Sequence, residues 1–107
     1  MPVVIVETSI FTRRVVRLLD DESYRLLQAE LLQDPEKGDL MRGSGGLRKL
    51  RWAVPGRGKR GGVRVIYYWA VSKDRFLMLL IYDKTEQDEL TADQLRQLRQ
   101  LVEREFK

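Results

Sequence analysis

Apolar and polar positions follow three rhythms along this chain, and each predicts a different kind of element. Val3 to Glu7 is a short run of Val and Ile, which favours a buried strand. Next, Thr8 or Ser9 caps a short helix that carries Phe11, Val15, Leu18 and Leu19 on one face. Asp20-Asp21 breaks this pattern and caps a second helix, where Tyr24, Leu27 and Leu31 recur at helical spacing and Leu26 and Ala29 widen the stripe. Pro35 and Gly38 end that helix, which gives two antiparallel helices joined by a tight turn.

Asp39 to Gly46 reads as a loop. From Leu47 to Val54 the period falls to two: Leu50 and Trp52 project to one face, Lys49 and Arg51 to the other. Pro55, Gly56, Gly58, Gly61 and Gly62 then build a turn into a second strand, Gly62 to Val71. There Val63, Val65 and Tyr67 alternate with Arg64, Ile66 and Tyr68. Either set suits a core, so the period does not orient Arg64. After a turn at Ser72-Lys73-Asp74, the near-continuous FLMLLIY of Arg75 to Tyr82 predicts a strand buried on both faces. The polar connection Asp83 to Leu90 leads to a capping box, Thr91 with Gln94. Leu95, Leu98, Val102 and Phe106 then form the apolar stripe of a last helix, with Leu98 expected in the core. The order β-α-α-β-β-β-α predicts one α+β domain over residues 1–107. Its sheet is expected to be antiparallel, of about four strands, with the two early helices and the C-terminal helix on one face.

Composition narrows the chemistry. Absence of cysteine removes disulfides and thiolate metal sites, and absence of histidine removes His-dependent triads and His-ligated zinc. No metal ion and no cofactor are expected. No stretch is apolar for long enough to span a bilayer, and MPVVIVETS lacks a basic leading region and a cleavage site. The expectation is a cytoplasmic protein without membrane partners.

Charge changes the picture most. The net charge is only +4, yet no acidic residue lies between Asp39 and Asp74, where Arg42, Arg48, Lys49, Arg51, Arg57, Lys59, Arg60, Arg64 and Lys73 all fall. A cationic hairpin inside a nearly balanced chain is a local binding face for a polyanion. GRGKRGG lies between two strands rather than before a helix, which argues against a nucleotide P-loop. What remains is a set of Arg, Lys and Tyr around a sheet. RNA carries its own nucleophile, the 2′-OH, so a cleaving protein must move two protons and stabilise extra charge on phosphorus. Arginine suits the last task, because its planar fork binds two phosphate oxygens and stays charged. The same hairpin would equally serve a non-catalytic RNA-binding or ribosome-associated protein, or a module that meets an acidic protein.

The runs GSGGLRKLR, GRGKRGGVRVIYYW and LLIYDKTEQDELT together resemble the RelE/HigB group of bacterial toxins, within the RelE/ParE superfamily. The likeness covers nearly the whole chain, including SYRLLQAELLQDPEKGD. It implies a compact microbial-ribonuclease-type fold and a type II toxin–antitoxin toxin. Such toxins cleave messenger RNA on the ribosome without a metal ion and so inhibit translation. It also implies a cognate antitoxin, expected to be a helix-turn-helix DNA-binding protein. By position, Arg64 matches the strand arginine that stabilises phosphate charge. Lys59, Tyr82 and Lys84 match further catalytic positions, and Lys49, Arg51, Arg57 and Arg60 match positions that hold RNA. Tyr67, Tyr68 and Trp69 are expected to serve the core.

Overall fold

The computed structural model describes residues 3–54, 62–87 and 89–106. Strand β1 (Val4–Glu7) runs into α1 (Ser9–Leu18) and α2 (Asp21–Gln33), and these are followed by β2 (Asp39–Leu40), β3 (Arg48–Trp52), β4 (Val63–Ala70), β5 (Arg75–Asp83) and α3 (Ala92–Phe106). The caps sit where the sequence puts them. Thr8 accepts from Phe11 N–H, Asp20 accepts from Ser23 N–H, and Thr91 and Gln94 exchange two bonds of 3.0 Å.

The α+β class holds, with three corrections. The sheet has five strands in the order β1-β5-β4-β3-β2. The additional strand β2 is two residues long, too short to leave any period in the sequence. The sheet is also mixed, because β1 lies parallel to β5 at one edge while the other pairs are antiparallel. Finally, the helices do not share a face. Phe11, Val15, Leu27 and Leu31 of α1 and α2 pack with Leu50, Val63, Val65, Tyr67 and Phe76. Val102 of α3 packs on the reverse side with Leu47, Ile66, Leu77, Leu79 and Tyr82. A sheet this apolar on both sides needs two covers. On α3 Leu98 is half-buried, and among the described side chains of that helix Val102 reaches the interior.

Strand β5 is buried from Phe76 to Asp83, as its apolar run requires. It contains one irregularity. Ile66 pairs with Leu80 but Tyr67 pairs with Met78, so Leu79 is an extra residue. Leu79 and Leu80 both join the α3 side, and Ile81 returns to the α1 side. Beyond the end of β1, the carbonyls here find partners on α1 and its cap. Thr8 Oγ1 donates to Leu79 O at 2.8 Å, and Arg14 Nη1 donates to Ile81 O at 3.2 Å.

Tyr67 ties the loop after α2 to the sheet. Its ring is fully buried, and its hydroxyl accepts from Gly38 N–H at 2.9 Å and donates to Pro35 O at 2.8 Å. Burial pushes its pKa up, so the hydroxyl keeps its proton for that second bond. Tyr67→Phe therefore leaves two backbone groups short of a partner and should cost about 1–3 kcal/mol, measured by chemical denaturation. Tyr24 does comparable work at the other end: its hydroxyl donates to Glu7, and burial together with that carboxylate raises its pKa.

Candidate nucleic-acid interface

Alternation along β3 sends Leu50 and Trp52 to the α1/α2 side, and so sends Lys49 and Arg51 to the α3 side. Register then extends this second face across the sheet. Lys49 lies opposite Ile66, Arg51 opposite Arg64, and Arg64 opposite Tyr82. Arg64 therefore stands on the α3 side, in a row Arg51-Arg64-Tyr82 that crosses three strands. The sequence left this orientation open.

Two arginines directly opposite on one face repel, since paired Cβ atoms sit about 5 Å apart. One of them has a counter-charge: Arg51 Nη1 donates to Asp39 Oδ2 at 3.0 Å, though both side chains are largely exposed and the pair contributes little to stability. Arg64 is half-buried, and its Nη1 reaches the carbonyl of Val63 at 3.3 Å. Among the described residues no carboxylate forms an ion pair with Arg64 or Lys49. Cations held together without matching acids favour an incoming anion.

A cleft of about 410 Å³ opens beside this row, between β2–β3 and the start of α3. Arg42, Lys49 and Arg51 supply its cations, Asp39 and Glu89 its acids, and Met41, Leu90 and Leu95 part of its apolar lining. Arg42 enters from the loop between β2 and β3, which is built to hold its shape. Ser44 is buried and its Oγ bonds Met41 O at 2.6 Å and Leu47 N–H at 2.9 Å. Gly46, at φ +112°, lies where a Cβ would stand 3.1 Å from the Tyr68 ring. Helix α3 closes the loop from outside, with Arg99 Nη1 donating to Gly43 O at 3.1 Å.

The remaining candidates divide. Lys84 is exposed just past β5, where Asp83 forms a turn by accepting from Thr85 N–H at 2.9 Å and Thr85 Oγ1 at 2.8 Å. Gly62, at φ +130°, packs against the Trp52 carbonyl, where a Cβ would lie only 2.8 Å away, and its own carbonyl accepts from Lys84 N–H at 3.3 Å. Tyr82 is fully buried in the cluster beneath α3. Arg57, Lys59 and Arg60, with Pro55, Gly56, Gly58 and Gly61 of the expected turn, lie outside the described residues, as does the side chain of Phe106. The structure thus brings Lys49, Arg51 and Arg64 onto one face, sets Lys84 at a strand exit, and encloses Tyr82. It adds Arg42 and Asp39 to the cleft. Arg42 belongs to the acid-free window, but only the folded loop shows that it lines the cleft.

Among solved structures, a double arginine-to-alanine mutant of the E. coli toxin RelE in its free state shares this fold, with a TM-score of 0.61 at 14% identity. The match covers 95% of this chain and 99% of that one. Residues 7–107 match the family described as the RelE toxin of the RelE / RelB toxin-antitoxin system. With nearly its whole length so matched, and with the same fold of three helices around one sheet, the chain belongs to the RelE toxin family.

Proposed function

We propose that this toxin is a ribosome-dependent endoribonuclease that cuts translated messenger RNA by attack of the 2′-OH, with no metal ion, and that its antitoxin silences it. The observation that carries the proposal is the Arg51–Arg64 pair. Two like charges face each other across β3 and β4, beside a cleft that holds Arg42 and Lys49. Asp39 offsets Arg51, while Arg64 and Lys49 form no ion pair among the described residues and are left to meet an incoming anion.

The 2′-oxygen attacks the adjacent phosphorus while the bond from phosphorus to the 5′-oxygen breaks, leaving a 2′,3′-cyclic phosphate and a free 5′-hydroxyl. Arg64 stabilises the charge that builds on the phosphoryl oxygens, the step at which a fixed donor acts most strongly. Lys49, Arg51 and Arg42 hold the flanking phosphates, and Arg57 and Arg60 add further cations for RNA binding. Lys59 and Lys84 divide the proton transfers: a neutral amine accepts the 2′-OH proton, and an ammonium gives one to the leaving 5′-oxygen. The ribosome holds the message in line for attack, which supplies a large part of the rate. Tyr82, enclosed beneath α3, supports Arg64 from the next strand.

Primer extension on translating ribosomes tests this reading. Wild-type toxin should cut within codons, both with and without EDTA, in reactions where intact ribosomes are verified separately. Ribosome binding that leaves every message whole would make the protein an RNA-binding module instead. In the same system Lys49→Glu with Arg51→Glu should weaken ribosome association and flatten its salt dependence, because fewer counterions are released on binding. A salt slope equal to wild type would remove these two residues from the interface.

A further inference from the structure

The reverse side of the sheet carries a second surface, unlike the first in both charge and shape. Two adjoining cavities of about 390 and 310 Å³ run between α2 and β3, and Leu26 and Trp52 line both. Leu26 is 55% exposed at the centre of a helix, and Trp52 is half-buried. The indole is fixed from below, since its Nε1 donates to Ser23 Oγ at 3.1 Å. Along α2, Glu22, Leu26, Ala29, Glu30 and Gln33 fall on one stripe about 16 Å long, enough for roughly three helical turns of a partner.

The rim of this groove is acidic in a chain that is basic overall. Asp20 and Glu22 line one cavity and Glu30 lines the other. Positions 20–34 hold five acids against the single base Arg25. Lys37 pairs with Glu30 at 3.1 Å, but both are exposed and the pair gives way easily. RNA is repelled from such a rim, and Trp52 points to the side of the sheet away from Lys49, Arg51 and Arg64. The groove therefore suits a protein partner that carries positive charge. An exposed leucine beside a rigid tryptophan is the kind of pocket in which one apolar anchor gains most of its binding energy.

We propose that this groove anchors the antitoxin, through a cationic segment that seats one large apolar side chain between Leu26 and Trp52. The proposal rests on membership of a toxin–antitoxin family, not on the cleavage chemistry. It places an antitoxin anchor on the opposite side of the sheet from the RNA face.

The test uses the full chain and its cognate antitoxin, with affinity measured by titration calorimetry. Leu26→Ser and Glu22→Lys should each weaken binding at least about tenfold, leave the cutting of messages by free toxin unchanged, and let cutting persist at one equivalent of antitoxin. Their thermal melts should fall by no more than the few degrees that a lost surface contact or a cation in the first turn of α2 accounts for. Val16→Ser, at an apolar residue 74% exposed on α1, should bind as wild type does. Raised salt should weaken wild type more than Glu22→Lys. If both groove variants keep wild-type affinity, the anchor is elsewhere while the toxin assignment stands. If wild-type chain does not bind that antitoxin at all, anchor and partnership fall together.

Discussion

Arg64→Ala should abolish most message cutting, by about 10²–10³ in rate, while ribosome association stays near wild type. The geometry sets that split. Arg64 is half-buried in the middle of a row, so it reaches a phosphate only once RNA lies along the face, whereas Arg42, Lys49 and Arg51 line the open cleft and supply the initial attraction. Arg64→Lys should recover little, because an ammonium cannot make the planar two-point contact of a guanidinium. Primer extension reads the cutting and cosedimentation reads the binding. Parallel loss of both would make Arg64 a binding residue, and undiminished cutting would end its proposed role.

Val102→Asp should destabilise the fold by on the order of 3–5 kcal/mol, since it drives an unpaired carboxylate into the α3 cluster. Val102 is only 2% exposed and packs among Leu47, Ile66, Leu79 and Tyr82. The loss should lower the melting temperature by more than about 10 °C. Leu98→Asp should cost less, because Leu98 keeps part of its surface in water. Equal melting temperatures for the two variants would contradict the assigned face of α3.

Most of the element boundaries were legible because local chemistry decides them. Caps at Thr8, Asp20 and Thr91, turn residues at Pro35 and Gly38, and the apolar run of β5 act within a few residues of themselves. What sequence could not decide was which side of the sheet each piece occupies. Strand β4 is apolar on both faces, so Val65 and Ile66 are equally at home in a core and Arg64 had no defined side. The stripe of α3 likewise states that the helix must cover something, not which face it covers. Long-range register, Arg51 to Arg64 to Tyr82, resolves the first question, and the packing of Val102 with Ile66, Leu79 and Tyr82 resolves the second.

The same limit applies to the site. Lys49 and Arg51 were visible from the period of β3, and the basic window itself marked the region. Tyr82 read as a functional strand end, but α3 lies over it, and no local signal records that cover. Asp39 was assigned to a loop, because two paired residues leave no alternation to detect. Its role beside Arg51 emerges only when β2 is laid against β3.

The extra leucine in β5 also bears on how this chain tolerates change in length. Leu79 has no partner of its own on β4, so the pairs on either side of it, Tyr67 with Met78 and Ile66 with Leu80, do not depend on it. Removing Leu79 would leave a regular strand in which Leu80, Ile81 and Tyr82 keep their partners and their sides, so the row that places Arg64 survives. A residue lost from the stretch Arg64 to Ile66 of β4, where every residue has its own partner on β3, has no such slack and would exchange the two sides of the strand beyond it. The short stretch of β5 around Leu79 is therefore where the strand best forgives a lost codon.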